Sequence, residues 1–310
     1  MPTLSLESFA DEIMNCLKEM VPQNVNLTML RETKPNVPNA ISIVFNDKSN
    51  IVPIILINPH YQEDYLKNNR SIKDIASDIK EAYECNQKTP INISADKLSN
   101  YDFVKVRSYI KLLNFEKNEE YLKDKVYDRV EDLAAIYCVS VESRTKGIGS
   151  IPVTNDYLKA LNVSKEQFKE DALANMKNSI LMKTMQEILF EEMGVHVSGP
   201  EENMYILTNT NMLNGAGQIL VPEASDKLLS LGKGDEFIVF PSSIHELILL
   251  PSCDYKYESI YDLQSIVMNA NEQAVSNADF LSNSVYMYNA RTKEFSLAEE
   301  KEKEEDQELE

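Results

Sequence analysis

A chain of 310 residues, 43% of them hydrophobic, has the apolar material for a sizeable core and sits near the length at which chains divide into two domains. Its 31 Lys and Arg against 50 Asp and Glu give a net charge of −19, which argues against nucleic-acid backbones and anionic lipid as partners. Cys16, Cys85, Cys138 and Cys253 show no C-x-x-C spacing, so they are expected as reduced thiols and not as a zinc or redox centre.

The first residues lack the basic region and continuous apolar core of a signal peptide, and no run reaches the ~18 apolar residues of a membrane helix, so a cytoplasmic protein is expected. Leu6, Phe9, Ile13, Leu17 and Met20 recur at helical spacing and predict an amphipathic helix over residues 4–20. Three strand-like runs follow, 25–31, 40–45 and 51–57, whose turn-rich connections predict an antiparallel meander. Ser71 is placed to cap a helix over 71–84, and Phe103, Val106, Ile110 and Leu113 predict another over 101–113; the two are expected to cover one face of the meander.

The pattern restarts with a hairpin, 133–141 and 148–154, turning through 144–147. Ser164 opens a helix expected to persist through Leu189, ended by Gly194 and the 198–202 loop. Beyond it the expected elements are strands at 204–207 and 218–221, a helix over 222–231 with Pro222 in its first turn, strands at 237–240 and 247–250, a helix over 259–275 and a strand at 285–288. Helices and strands mix without regular βαβ alternation, so the fold class is α+β, with small antiparallel sheets covered by helices. The expected division is residues 1–125, residues 126–298, and a disordered acidic tail over 299–310 that holds eight acidic residues and two lysines.

Chemistry-bearing residues crowd together at one place, Phe240-Pro-Ser-Ser-Ile-His-Glu246, between two apolar runs. Ser242 or Ser243, His245 and Glu246 supply the residue types of a serine hydrolase, in which a histidine takes the serine proton and a carboxylate orients the imidazole. In an extended chain, however, Ser243 and His245 share a face while Glu246 points to the other, and no G-x-S-x-G elbow is present. A hairpin turn held by its serine hydroxyls accounts for the same residues. The candidate binding surface is Ser242, Ser243 and His245 with Tyr255 and Tyr257, since tyrosines offer apolar area with a polar tip.

His60, His196 and His245 are too few and too scattered for a histidine metal site; no metal is assigned. Asn214-Gly-Ala-Gly217 and Gly232-Lys-Gly-Asp235 lack the remaining residues of a dinucleotide fingerprint or a P-loop; they are expected as turns, and no cofactor is assigned.

Several stretches together carry a resemblance: Asp132-Leu-Ala-Ala-Ile-Tyr137, Met204-Tyr-Ile-Leu-Thr-Asn209, Gly215-Ala with Ile219-Leu220, Leu281-Ser-Asn-Ser-Val-Tyr-Met-Tyr288 and Phe240-Pro-Ser-Ser-Ile-His-Glu246. Over nearly the whole chain, to about Lys293, the sequence resembles a domain-of-unknown-function family of anaerobic Firmicutes, whose members commonly carry Leu where this chain has Phe240. A weaker similarity in residue order, from the hairpin to Val239-Phe-Pro, links it to a second uncharacterised bacterial family. The resemblance implies a bacterial, cytoplasmic α+β protein and carries over no catalytic residue. The expectation is a non-catalytic protein that binds a protein partner or a small ligand, with neither nucleic acid nor membrane involved. The alternative is a serine-type hydrolase centred on Ser242 or Ser243 and His245, with Glu246 or a distant Asp as third member.

Overall fold

The computed structural model describes residues 3–47, 52–87, 94–142, 148–196, 203–254 and 259–299. Tyr255, Tyr257, the turn at 144–147, the loop at 198–202 and the acidic tail from 300 onward lie outside the described residues. The chain divides into two compact units that interleave in sequence. Met1–Asn100, Asn118–Lys123 and Ser140–Ile151 form the first; Tyr101–Lys117, Asp124–Val139 and Pro152–Glu310 form the second.

In the first unit α1 (Leu6–Met20) begins at Ser5, whose hydroxyl accepts the Ser8 N–H at 3.2 Å, and buries Phe9, Ala10, Ile13, Met14 and Leu17. Strands β1 (Asn26–Lys34), β2 (Val37–Asn46) and β3 (Ile54–Leu56) form the expected antiparallel meander in that order. The β1–β2 turn places Asn36 in the left-handed region, and Asn118 clamps it, accepting the Asn36 N–H at 2.7 Å and donating back to its side chain at 2.8 Å. A π-helical turn, His60–Lys67, stacks Tyr61 and Tyr65 beside Phe9. Helix α2 (Ile72–Gln87) adds Ile75, Ile79 and Tyr83 to the core formed by α1 and the meander, and the short α3 (Ala95–Leu98) follows.

The helix expected over 101–113 is corrected. Helix α4 stops at Lys105 (Tyr101–Lys105), and Ser108–Asn114 is strand β4. Its apolar residues fit a helical period, but Ile110, Leu112 and Leu113 are all buried because β4 pairs continuously with β6, from Ser108 opposite Val139 to Asn114 opposite Leu133. A short run buried on both faces has no period that separates strand from helix. The partner of α2 over the meander is therefore α1.

After α5 (Glu119–Leu122), strands β5 (Tyr127–Val130) and β6 (Leu133–Glu142) join β4 in the order β4-β6-β5, and β7 (Ile148–Pro152) also pairs with β6, giving the expected hairpin. Helix α6 (Asn155–Leu161), capped by Thr154 and closed by left-handed Asn162, was not expected from the sequence. Ser164 caps α7 (Lys165–Met176) as anticipated, yet helical character does not continue to Leu189. Strand β8 (Ile180–Thr184) intervenes, paired with β9 (Tyr205–Asn209), and a capping box between Thr184 and Glu187 restarts the helix as α8 (Met185–Met193). The strand expected at 218–221 is a 3₁₀ helix, Gly215–Leu220, leading into α9 (Pro222–Ser230) with Pro222 in its first turn.

Strands β10 (Glu236–Ser243), β11 (Glu246–Pro251), β12 (Tyr286–Asn289) and β13 (Glu294–Leu297) complete an antiparallel sheet of order β13-β12-β10-β11-β9-β8. Helix α10 (Ile260–Ala274) covers it, with Ile260, Leu263 and Val267 packed on Ile238, Leu250 and Val285. The class is α+β, as the unalternated order of elements predicts.

Candidate functional site

The serine-histidine motif is the turn between β10 and β11. Phe237 through Phe240 pair regularly with Pro251 through Ile248, the register shifts, and Ser243 faces Glu246 across Ile244 and His245. Pro241 lies in that irregular stretch; β12 pairs with β10 only as far as Val239, so the missing proline N–H opens no gap in that ladder.

Each polar side chain of the turn has a partner. Ser243 Oγ accepts the backbone N–H of His245 at 3.1 Å, and Ser242 Oγ donates to Glu246 Oε1 at 3.1 Å. The His245 carbonyl accepts the Thr208 hydroxyl at 2.8 Å. Of the ring nitrogens, Nδ1 lies 3.0 Å from the Asn214 backbone nitrogen and Nε2 lies 3.1 Å from Asp279 Oδ1. A backbone N–H can only donate, so Nδ1 is an acceptor and the proton resides on Nε2, donated to Asp279. Ile244 N–H also donates to the Asp279 carbonyl at 2.9 Å. The His245 hydrogen bond holds the Asp279 carboxyl below the ordinary carboxylate range; burial opposes it and the Ser276 hydroxyl assists.

The structure thus brings Ser242 to Glu246 and Ser243 to the His245 backbone, while the ring is oriented by Asp279, 34 residues farther along the chain. Neither serine hydroxyl is bonded to a ring nitrogen. Asp279 and Asn214 were missed by sequence reasoning, because neither has a local motif that marks it as a partner of His245.

Two glycines make this close packing possible. A Cβ on Gly215 would stand 2.6 Å from the His245 carbonyl oxygen and closer still to Thr208 Oγ1, and one on Gly217 would stand 2.5 Å from the Ile110 carbonyl oxygen. These are close backbone approaches that only glycine permits, where the sequence reading expected a turn and Gly215–Leu220 is a 3₁₀ helix.

A second polar centre joins two other motifs. Asp132 accepts Ser282 Oγ at 2.7 Å, Ser284 Oγ at 3.0 Å and Tyr286 OH at 2.5 Å. The three donors occur at every second residue, an alternation that in extended chain sets them on one side. Asn271, buried, supports the same segment by donating to the Ser282 carbonyl at 2.9 Å and to Asn283 Oδ1 at 2.8 Å. Burial, with the Asp132 charge behind it, pushes the Tyr286 phenol far above its ordinary value, so it remains a donor. Nearby in sequence, Asp128 accepts Tyr137 OH at 2.7 Å and pairs with Lys165 and Lys169.

The other histidines sit elsewhere. His60 Nδ1 is 2.8 Å from Asp64 Oδ2 in the π-helical turn, and the His196 ring lies against Phe190, 4.7 Å between centroids, after the left-handed Gly194 that closes α8. Among the described residues no group of three or more His, Cys, Asp or Glu side chains is placed to hold a metal ion. No helix among them is long and apolar enough to cross a membrane.

A protein-family model described as a family of unknown function (DUF5688) matches residues 6–290, nearly the whole chain. No curated protein and no solved structure matches.

Proposed function

We propose a non-catalytic binding function for this chain, which belongs to the DUF5688 family, a family of unknown function. The observation that carries it is an exposed apolar stripe beside the edge strand β8. Phe190 and Met193 on α8, with Val195 after it, are 52%, 66% and 47% exposed, and Leu189 continues the same side of the helix. Single exposed apolar residues are ordinary on a protein surface, whereas adjacent ones on one helix face favour a partner. Ser242, Ser243 and His245, with Tyr255 and Tyr257, remain the second candidate surface. The partner is a protein or a small molecule, and the setting is the cytoplasm of an anaerobic Firmicute, with residues 1–125 and 126–298 as the two domains. Capture of partners on the immobilised full chain, compared with Phe190→Ser/Met193→Ser, tests the proposal. A partner retained by the wild type and lost by the variant supports it; identical capture by both removes α8 from the surface.

The rival reading, a serine-type hydrolase, draws on the carboxylate that Asp279 presents to His245. Against it stands the bonding of both ring nitrogens to groups other than Ser242 or Ser243. Any turnover of a generic ester is expected to survive Ser242→Ala and Ser243→Ala unchanged. Its loss in either variant would instead establish the hydrolase.

A further inference from the structure

We propose that His245 is an acid-operated latch on the turn at residues 210–214: the neutral ring holds the Asn214 N–H, and a second proton, taken at Nδ1, releases that turn while the bond to Asp279 persists. The Asn214 nitrogen is a backbone amide 3.0 Å from Nδ1 and must donate, so the bond exists only while Nδ1 keeps its lone pair. Once Nδ1 carries a proton, two N–H groups face each other and the contact turns repulsive.

The surroundings decide which side of the ring lets go. Asp279, from the loop after α10, is the anion in contact with Nε2, and that same bond holds its carboxyl below the ordinary carboxylate range. Its attraction to the ring therefore grows as acid is added. Glu246, next in the chain, is engaged by Ser242. Strand β9 and the Gly215–Leu220 helix bring no charged residue, since residues 205–221 contain none. A cation packs against the Asp279 loop, Lys117, whose Nζ lies 3.5 Å from the centroid of the Phe280 ring. Net attraction thus fixes the charged ring on Asp279, and the Asn214 side yields.

What is released is a turn held under backbone strain. Met212 and Asn214 both occupy the left-handed region, with φ of 53° and 54°; asparagine tolerates that region, but methionine does not favour it. Asn209 organises the turn from within, its Oδ1 accepting the N–H groups of Asn211 and Leu213 and its Nδ2 donating to the Leu213 carbonyl. From outside, the Thr210 N–H bond to the Ser179 carbonyl, 2.9 Å, ties the start of the turn and the histidine bond ties its end. Its loss lets exposed Met212 relax while the sheet beneath keeps its ladder.

The test is amide exchange followed by nitrogen-15 NMR on the full chain between about pH 8 and pH 5, the interval in which imidazoles titrate, with rates corrected for the intrinsic effect of pH. The Asn214 amide is expected to lose protection about tenfold, the scale of one hydrogen bond, while the Ile244 amide, bonded to the Asp279 carbonyl, keeps its own. In His245→Asn the side-chain oxygen offers a non-titrating acceptor where Nδ1 stood, and protection at Asn214 is expected to be independent of pH. Unchanged protection at Asn214 in the wild type overturns the latch, as does an equal loss in His245→Asn. If that variant fails to fold, the wild-type amides decide: loss at Asn214 alone supports release of the turn, and joint loss at Asn214 and Ile244 overturns it.

Discussion

In the first unit, α1 and α2 close over the β1–β3 meander through Phe9, Ile13, Leu17, Ile43, Phe45, Ile75, Ile79 and Tyr83. In the second, the segment after α10 is fastened by polar side chains: Asp279 to His245, and Ser282, Ser284 and Tyr286 to Asp132, residues 150 or more positions away. Apolar burial is non-directional and accepts any side chain of suitable volume, so the first unit is specified by periodicity. A half-buried carboxylate must meet its donors at fixed distances, so in the second unit these bonds fix where one segment lies against another.

The difference can be tested by truncation. Phe9→Ala removes a ring that is fully buried against Tyr61 and Tyr65, and is expected to destabilise the first unit by about 3–5 kcal/mol in urea denaturation. A cost near zero would show that this core is plastic and that the π-helical turn re-packs over the gap.

Asp132→Ala tests the polar side of the contrast. It leaves three hydroxyls without their acceptor, and the expected loss is about 3 kcal/mol, with Tyr286→Phe costing about 1–2 kcal/mol. If the double variant costs no more than Asp132→Ala alone, the two residues act through one shared bond; full additivity would break the picture of a single polar knot.

The smallest effect belongs to Asp128, and it depends on pH. Burial raises its carboxyl, but hydrogen bonds from Lys165, Lys169 and Tyr137 outweigh this and bring it down to about 2. An unfolded aspartate titrates near ~3.9. The folded value is depressed, so the stabilisation is present above that unfolded value and is lost as pH falls through about 2. The destabilisation of Asp128→Asn relative to wild type is therefore expected to shrink from pH 7 toward pH 2 when urea midpoints are compared. A gap of the same size at both ends would assign the effect to packing.

Much of the fold was legible because its signals are local. The stripe of α1 and the caps Ser71 and Ser164 sit within one or two turns of the helices they specify, and the β10–β11 hairpin announces itself by two apolar runs around polar turn residues. Misreadings fell where an apolar run is short and its neighbour is distant. Residues 108–114 became a strand because β6 was there to pair with them, and Ile180–Thr184 interrupted a plausible helix because β9 was. The candidate site divides in the same way. Ser242, Ser243, His245 and Glu246 stand out as residue types, yet Asp279 and Asn214, which determine what the imidazole can do, lie 34 and 31 residues from it.

By itself, then, the sequence determined which segments are amphipathic, where caps and turns stop them, and that the class is α+β, because each of these depends on side chains within a few residues of one another. Tertiary structure alone decided the tautomer of His245, the three donors on Asp132 and the need for glycine at 215 and 217. Those are properties of atoms brought within hydrogen-bonding reach by strand pairing between remote segments, and such proximity leaves no trace in local spacing.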